Sequence, residues 1–188
     1  MDLNRKLILA SASPRRQFLL KEIGLEFTID PPHIDESFPP DMPIEKVPSY
    51  LAEKKAKALL PKLTDEIALA ADTVVILRRR ILNKPADRKE AIQMLTDLSG
   101  HTHTVITAVC LLSKEKSDCF EGQTDVTFKK LTREEIEFYV DNYKPYDKAG
   151  AYGAQDFIGM IAIEKIAGSY FTVMGLPIHK VYERLRLF

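Results

Sequence analysis

Residues 11–16, Ser-Ala-Ser-Pro-Arg-Arg, combine hydroxyl and guanidinium groups in a pattern that suits anion binding. They follow a short apolar run, Leu-Ile-Leu-Ala, which predicts a buried strand. Ser13 suits a helix N-cap and Pro14 the first helical position. Arg15 and Arg16 then fall in the first turn, where the helix dipole disfavours cations unless an anion binds there. The segment predicts a phosphate site, with two solvated arginines on a capped helix as the alternative.

Lys55 occupies an apolar position on a helix predicted over residues 44–60. Apolar residues recur there at the spacing of one helix face, with Lys55 at its centre: Ile44, Val47, Leu51 and Ala58. An inward ammonium needs an anionic partner or must lose its proton. The alternative is a lysine whose apolar stem packs at the edge of the core while its charge reaches water.

Asp72 interrupts an apolar run over residues 67–77, so its neighbours are apolar on either face of a strand. A carboxylate there is costly unless it binds a cation, a metal or hydrogen-bond donors. This position favours a site carboxylate at a strand end over the alternative, a structural salt bridge.

Several basic groups and two carboxylates together suit a polyphosphate bound with a divalent metal. The candidate carboxylates are Asp72 and Glu36, which lies in a proline-bounded loop beside Asp35. Magnesium binds through carboxylates together with phosphate oxygens, and phosphoryl chemistry needs mainly positioning and charge neutralisation. The candidate cations are Arg15, Arg16, Lys55 and Lys84.

Composition argues against several classes of partner. The net charge is zero and the pI about 6.9, so no global field draws the chain to nucleic acid or to a membrane. The sequence contains neither a P-loop nor a G-x-G-x-x-G motif. Cys110 and Cys119 lack C-x-x-C spacing, and we expect two reduced thiols in a cytoplasmic protein. His101 and His103 lack a third ligand, which favours a structural or surface role.

The element pattern predicts an α/β fold with a mixed sheet. Predicted strands cover residues 6–10, 27–29, 67–77, 105–112, 124–129 and 161–166. Predicted helices cover residues 14–23, 44–60, 87–98, 132–142 and 177–185. Asp87 with Glu90, and Thr132 with Glu135, have the spacing of capping boxes. We expect a single domain over residues 1–188.

The chain resembles the Maf family of nucleoside triphosphate pyrophosphatases over nearly its whole length. The similar segments occur in family order: residues 11–16, 35–36, 51–57, 71–75, 83–85, 98–100, 107–109, 147–153, 155, 168–169 and 173–177. The resemblance implies a Maf/ITPase-like fold, with an elongated mixed sheet, flanking helices and two lobes around a deep cleft. It implies cleavage between the α and β phosphates with Mg²⁺ or Mn²⁺, and residues 147–153 with Gln155 resemble the branch that acts on dTTP and UTP.

The resemblance also assigns expected roles to individual residues. Asp72 matches the proton acceptor, and Glu36 and Asp72 would hold the metal. The positions that influence substrate choice are Arg15, Thr73 and Gln155. The positions of the phosphate and metal site are Ser11, Arg16, Glu36, Lys55 and Lys84.

Two questions stay open in the sequence. A carboxylate beside a metal and several cations has a lowered pKa and is a weak base, so Asp72 either accepts the proton or positions metal and water. The alternative function is a non-catalytic nucleotide-binding regulator of cell division, which would not need an inward carboxylate at Asp72. The sequence also leaves the oligomeric state open, with a homodimer as one candidate.

Overall fold

The structure is a computed structural model that describes residues 4–188, so the predicted domain over 1–188 begins outside this range. The strands are β1 Leu7–Leu9, β2 Phe27–Ile29, β3 Ile67–Leu77, β4 Arg80–Leu82, β5 Thr102–Leu112, β6 Ser117–Phe128 and β7 Ile163–Ala167. The α-helices are α1 Pro14–Glu22, α2 Val47–Leu59, α3 Arg88–Leu98, α4 Arg133–Tyr143, α5 Phe157–Ala162, α6 Tyr170–Met174 and α7 Ile178–Leu187. The predicted α/β class is confirmed.

The strands form a seven-stranded mixed sheet in the order β2-β1-β3-β5-β6-β7, with β4 paired to β3. β1 runs parallel to both β2 and β3, whereas β4 is antiparallel to β3 and β7 is antiparallel to β6. β3 lies inside the sheet, which explains why its residues form a nearly continuous apolar run.

The chain divides into two compact units. The first unit comprises the described residues up to Asp72 with Thr107–Gly122 and Gly175–Phe188, and the second comprises Thr73–Ile106 and Gln123–Met174. In the first unit, small residues of α2, β3 and β5 form a buried cluster that includes Ala52, Ala56, Ala70, Ala108 and Cys110. No helix within residues 4–188 is long and apolar enough to cross a membrane.

The predicted helix boundaries follow from local chemistry. Thr132 and Glu135 form a complete capping box at the start of α4, as their spacing predicted. At α3 the Asp87 side chain accepts from the Glu90 N–H, but the Glu90 carboxylate accepts from the Ala86 N–H instead. The short helices α5 and α6 and the short strand β4 were not predicted.

The β3–β4 hairpin turns through two arginines. Arg78 and Arg79 both have positive φ, 50° and 62°, between the paired residues Leu77 and Arg80. Two left-handed central residues define a type I′ turn, which usually contains asparagine or glycine. Arg78 and Arg79 therefore form the turn of this hairpin.

The expectation of two reduced thiols was wrong, because Cys110 and Cys119 form a disulfide. Ser113 N–H donates to the Lys116 carbonyl at 2.9 Å and closes the loop between β5 and β6. The two cysteines stand three residues outside this closing pair and face each other, with Cα atoms 4.1 Å apart. The expected cytoplasmic location therefore loses the support that it drew from free thiols.

His103 has the structural role that the sequence favoured. It is 2% exposed in the core of the second unit, and its Nε2 lies 2.8 Å from the Tyr152 hydroxyl. Its ring makes edge contacts with Phe128 and Tyr152. Burial lowers the pKa of His103 from 6.5 to about 4, so the imidazole is neutral at physiological pH.

We therefore predict that His103 makes the fold sensitive to acid. The unfolded chain binds the proton below about pH 6.5, whereas the folded chain resists protonation down to about pH 4. Stability is thus lost as the pH falls through this window, by about 3 kcal/mol for this residue. Urea unfolding of wild type and His103→Gln from pH 7 to pH 4 measures the difference. Parallel curves for the two proteins would contradict the prediction.

Candidate active site

Five of the residues singled out in the sequence lie in one cluster of the first unit: Ser11, Arg16, Glu36, Lys55 and Asp72. β1, α1, α2 and β3 supply or lead directly to four of them, and the loop after β2 supplies Glu36. The sequence thus predicted the members of this cluster before any contact between them was known.

Arg16 is fixed by two hydrogen bonds. Its Nε donates to the Gly175 carbonyl at 2.8 Å, and its Nη1 donates to Ser11 Oγ at 3.1 Å. Ser11 Oγ also accepts from the Ser13 N–H at 3.2 Å. These contacts tie the start of α1 to the chain just before α7 and orient the guanidinium in the cluster.

Ser13 occupies the N-cap position of α1, with Pro14 next, but its side chain makes no capping hydrogen bond. The structure corrects that detail of the sequence interpretation, since Ser11 Oγ binds Arg16 and the Ser13 N–H instead. No acidic side chain lies in the first turn of α1. The first turn therefore supplies no carboxylate of its own to offset the positive end of the helix dipole.

Lys55 joins two carboxylates. Its Nζ lies 2.6 Å from Asp72 Oδ1 and 3.1 Å from Glu36 Oε1. The side chains of Lys55 and Asp72 are each only 12% exposed, whereas that of Glu36 is 54% exposed. Lys55 therefore points inward to anionic partners, and the alternative of a lysine reaching water at the core edge was wrong.

Burial dominates the protonation of this cluster. It raises the pKa of Asp72, against the opposing charges of Lys55 and Arg16, while Glu36 adds to the rise. Burial also lowers the pKa of Arg16, against the favourable charge of Asp72, and the nearby charge of Arg15 lowers it further. Without a metal, burial thus makes the Asp72 carboxyl more basic than an ordinary aspartate.

The donor set fits a hard divalent cation that retains other ligands. Glu36 and Asp72 each have a carboxylate oxygen within 3.1 Å of the Lys55 Nζ. Within residues 4–188, no group of three or more His, Cys, Asp or Glu side chains is gathered as a metal centre. Mg²⁺ commonly binds through one or two carboxylates, with water and substrate phosphates completing its octahedron. A metal that is also coordinated by substrate phosphate oxygens would therefore need only two carboxylate ligands from the protein.

Thr73, Lys84 and Gln155 lie in the second unit. Thr73 follows Asp72 on β3 and projects to the opposite face, which it shares with Val75. Gly150 packs on this Val75: a Cβ on Gly150, at its φ of 68°, would lie 3.1 Å from Val75 Cγ1. Thr73 is thus on the same strand face as the loop that leads towards Gln155.

Lys84 is exposed and lies two residues beyond β4. The preceding Asn83 carbonyl accepts from the Gly150 N–H at 3.1 Å. The segment with Lys84 and the glycine-containing loop are therefore held together by a backbone hydrogen bond.

Gln155 occupies the third position of a turn formed by residues 153–156, closed by the Asp156 N–H donating to the Gly153 carbonyl at 3.1 Å. Its Oε1 is buried, and nothing in the described part of the chain donates a hydrogen bond to it. A buried amide oxygen without a donor is costly, and a ligand that offers an N–H would remove that cost.

Sequence reasoning missed the groups that hold these residues in place. Gly175 lies in the family-like segment 173–177, and its carbonyl is the acceptor for Arg16. Tyr139, whose hydroxyl contacts the turn of Gln155, was not singled out. Every residue has a backbone carbonyl, so the sequence does not show which one accepts a hydrogen bond from Arg16. A tyrosine on an apolar helix face has the pattern of an ordinary core residue.

Comparison with known proteins identifies the family. The family described as Maf-like protein matches residues 6–188. The chain belongs to the Maf family. It is 45% identical over 183 residues to a protein of Bacteroides fragilis named dTTP/UTP pyrophosphatase, covering 96% of this chain and 95% of that one.

Other Maf relatives carry the same name. Proteins from Parabacteroides distasonis and Porphyromonas gingivalis, both named dTTP/UTP pyrophosphatase, are each 46% identical to this chain. The matches cover 97% of this chain in both cases, and 96% and 94% of the relatives. Among solved structures, the Staphylococcus aureus Ham1 protein has a TM-score of 0.51 at 14% identity, with 96% of this chain and 100% of that chain covered. This likeness confirms the Maf/ITPase-like fold class.

We predict that Lys55 and Asp72 are energetically coupled. Lys55→Met should lower the free energy of unfolding by about 3 kcal/mol, because it leaves the Asp72 carboxylate buried without its ammonium. The double variant Lys55→Met/Asp72→Asn should recover much of this loss, since no unpaired charge remains. Urea unfolding of both single variants and the double variant measures the coupling.

Lys57→Met is the matched control on the same helix. Lys57 pairs with Glu53 on the surface, where its side chain is 63% exposed. Its replacement should change stability by less than about 0.5 kcal/mol. Equal effects of the Lys55 and Lys57 substitutions would show that the inner pair is not a buried one.

Proposed function

We propose that this protein is a nucleoside triphosphate pyrophosphatase that hydrolyses dTTP and UTP to the monophosphate and pyrophosphate. The observation that carries the proposal is the buried Asp72 carboxylate, paired through Lys55 with Glu36 beside the arginine-bearing start of α1. The names of the Maf relatives, at about 45% identity over nearly the whole chain, support the choice of substrates.

The phosphates would bind to the basic groups of the cluster. Arg16 is already oriented by Ser11 and the Gly175 carbonyl, so little side-chain entropy is lost when it meets an anion. Arg15 lies in the same first turn, where the backbone N–H groups and the helix dipole also favour an anion. Lys84 would contribute a further charge to the triphosphate.

We propose that Mg²⁺ or Mn²⁺ is held by Glu36 and Asp72 together with the triphosphate. When bound, such a metal supplies Lewis-acid stabilisation of phosphoryl charge and lowers the pKa of coordinated water. Lys55 keeps the two carboxylates together against their mutual repulsion, because its ammonium lies within 3.1 Å of both.

Asp72 would receive or direct the proton of the attacking water. The water oxygen attacks the α phosphorus, the bond to the bridging oxygen breaks, and pyrophosphate leaves in line. A carboxylate whose pKa is raised by burial is a better proton acceptor than an exposed aspartate. A metal held by the same carboxylate would lower its pKa, so Asp72 either accepts the proton or positions metal and water.

The first prediction of this proposal concerns the products. Purified protein with dTTP or UTP should release nucleoside monophosphate and pyrophosphate, and EDTA should stop the reaction until excess Mg²⁺ restores it. Phosphorus NMR of the reaction mixture distinguishes the products directly. A nucleoside diphosphate with orthophosphate would place the cleavage at the wrong bond. Nucleotide binding without any hydrolysis would instead support the non-catalytic regulator.

The second prediction concerns base choice. The Gln155 amide offers one donor and one acceptor, which match the N3–H and a carbonyl of thymine or uracil. Loss of one such bidentate contact is worth about 1–3 kcal/mol in base recognition. Gln155→Ala should therefore lower kcat/KM for dTTP by roughly ten- to a hundred-fold and that for a purine triphosphate much less.

Gln93→Ala serves as the matched control, because Gln93 is an exposed glutamine of α3 whose amide donates to Asp97 at 2.8 Å. It should leave both values of kcat/KM unchanged. If Gln155→Ala leaves the ratio of dTTP to purine kcat/KM at its wild-type value, Gln155 does not contact the base.

A further inference from the structure

One hydroxyl group joins both ends of the turn that carries Gln155. Tyr139 Oη donates to Asp156 Oδ2 at 2.9 Å and accepts from the Gly153 N–H at 3.3 Å. Gly153 and Asp156 are the first and last residues of the four-residue turn, which the Asp156 N–H closes on the Gly153 carbonyl. The turn is therefore held by its own backbone and by a side chain from α4.

The turn also packs with little space to move. A Cβ on Gly153 would lie 2.5 Å from Asp156 Oδ2, and a Cβ on Gly159 would lie 2.2 Å from the Ala154 carbonyl oxygen. The absence of side chains at these two glycines lets the Asp156 carboxylate and the first turns of α5 close onto the loop. Gln155 thus belongs to a turn that packs closely against the Asp156 carboxylate and against Gly159 of α5.

Asp156 is used for this contact rather than for helix capping. It stands at the N-cap of α5, yet its side chain makes no capping hydrogen bond. Its Oδ2 instead accepts from Tyr139, and the Lys148 Nζ lies 3.6 Å away. The carboxylate therefore connects α4, the Lys148 segment and the Gln155 turn.

The hydroxyl of an ordinary core tyrosine can donate its hydrogen bond to any nearby acceptor. Tyr139 is fully buried on α4, and its ring stacks on Tyr143 with centroids 5.1 Å apart. Its hydroxyl bonds to Gly153 and Asp156, two residues that flank the same two-residue segment. The hydroxyl thus contacts the residues on both sides of Ala154 and Gln155.

We infer that Tyr139 is a positioning residue for base selection, whose hydroxyl holds the 153–156 turn so that the Gln155 amide meets the pyrimidine in a fixed orientation. This inference rests on the proposed function, in which Gln155 contacts the base. Bidentate recognition needs both partner atoms placed within a fraction of an ångström, so loosening the turn weakens discrimination before it affects phosphate chemistry.

Tyr139→Phe tests the inference because it removes only the hydroxyl. We expect kcat/KM for dTTP to fall about five- to ten-fold, mainly through a higher KM, while kcat at saturation changes less than about two-fold. The value for a purine triphosphate should hardly change, so the ratio of the two falls. Tyr143→Phe removes a hydroxyl from the neighbouring, 45% exposed tyrosine of the same helix and should leave the ratio unchanged.

Coupling to Gln155 separates positioning from a general loss of stability. If Tyr139 acts through Gln155, the double variant Tyr139→Phe/Gln155→Ala should lose no more dTTP preference than Gln155→Ala alone. Additive losses, or a Tyr139→Phe protein that is less stable in thermal melts but keeps the wild-type ratio, would overturn the inference. If Gln155→Ala itself leaves the ratio unchanged, base contact by Gln155 fails and this inference fails with it.

Variants of Asp156 test the same bond from its other end. Asp156→Ala removes the acceptor of the Tyr139 hydroxyl and should lower the dTTP preference as Tyr139→Phe does. Asp156→Asn keeps an oxygen at that position and should restore most of the preference. These variants decide the matter even if Tyr139→Phe does not fold, and equal ratios for Asp156→Ala and wild type would contradict the inference.

Discussion

The ammonium of Lys55, shared between the Asp72 and Glu36 carboxylates, is the interaction on which the site depends. A carboxylate on a side chain that is only 12% exposed inside an apolar strand is unfavourable by itself, and its nearest compensation is a cation 2.6 Å away on α2. α2 must therefore present Lys55 at one place along β3. The small residues Ala52, Ala56 and Ala70, which share one buried cluster, allow the helix to approach closely enough to do so.

The charged members of the site could be predicted because they contradict the pattern around them. Lys55 interrupts an apolar helix face, Asp72 interrupts an apolar strand, and two arginines stand at the end of a helix that disfavours cations. Each position is unfavourable locally and becomes reasonable only beside opposite charge or a ligand. The sequence could not show which residues meet, because the contact between Lys55 and Asp72 depends on how α2 packs against β3.

Other features left no comparable signal. Arg16 binds the carbonyl of a residue 159 positions away, and the Tyr139 hydroxyl binds a backbone N–H and a carboxylate in a loop. The cysteine pairing depends on the register of β5 and β6, which spacing alone did not determine. Among the elements, the caps and apolar runs predicted the long helices and strands. The short helices α5 and α6 lack such signals, and the two lobes and cleft remain expectations from the family resemblance.

We propose that Asp72 is kept buried for chemistry and not for stability. Single-turnover hydrolysis of dTTP by Asp72→Asn, measured beside its thermal unfolding, tests this most directly. We expect a folded protein whose rate is lower by about two orders of magnitude or more. A variant that retains the wild-type rate in its folded fraction while its stability falls would contradict it and leave Asp72 as a structural partner of Lys55.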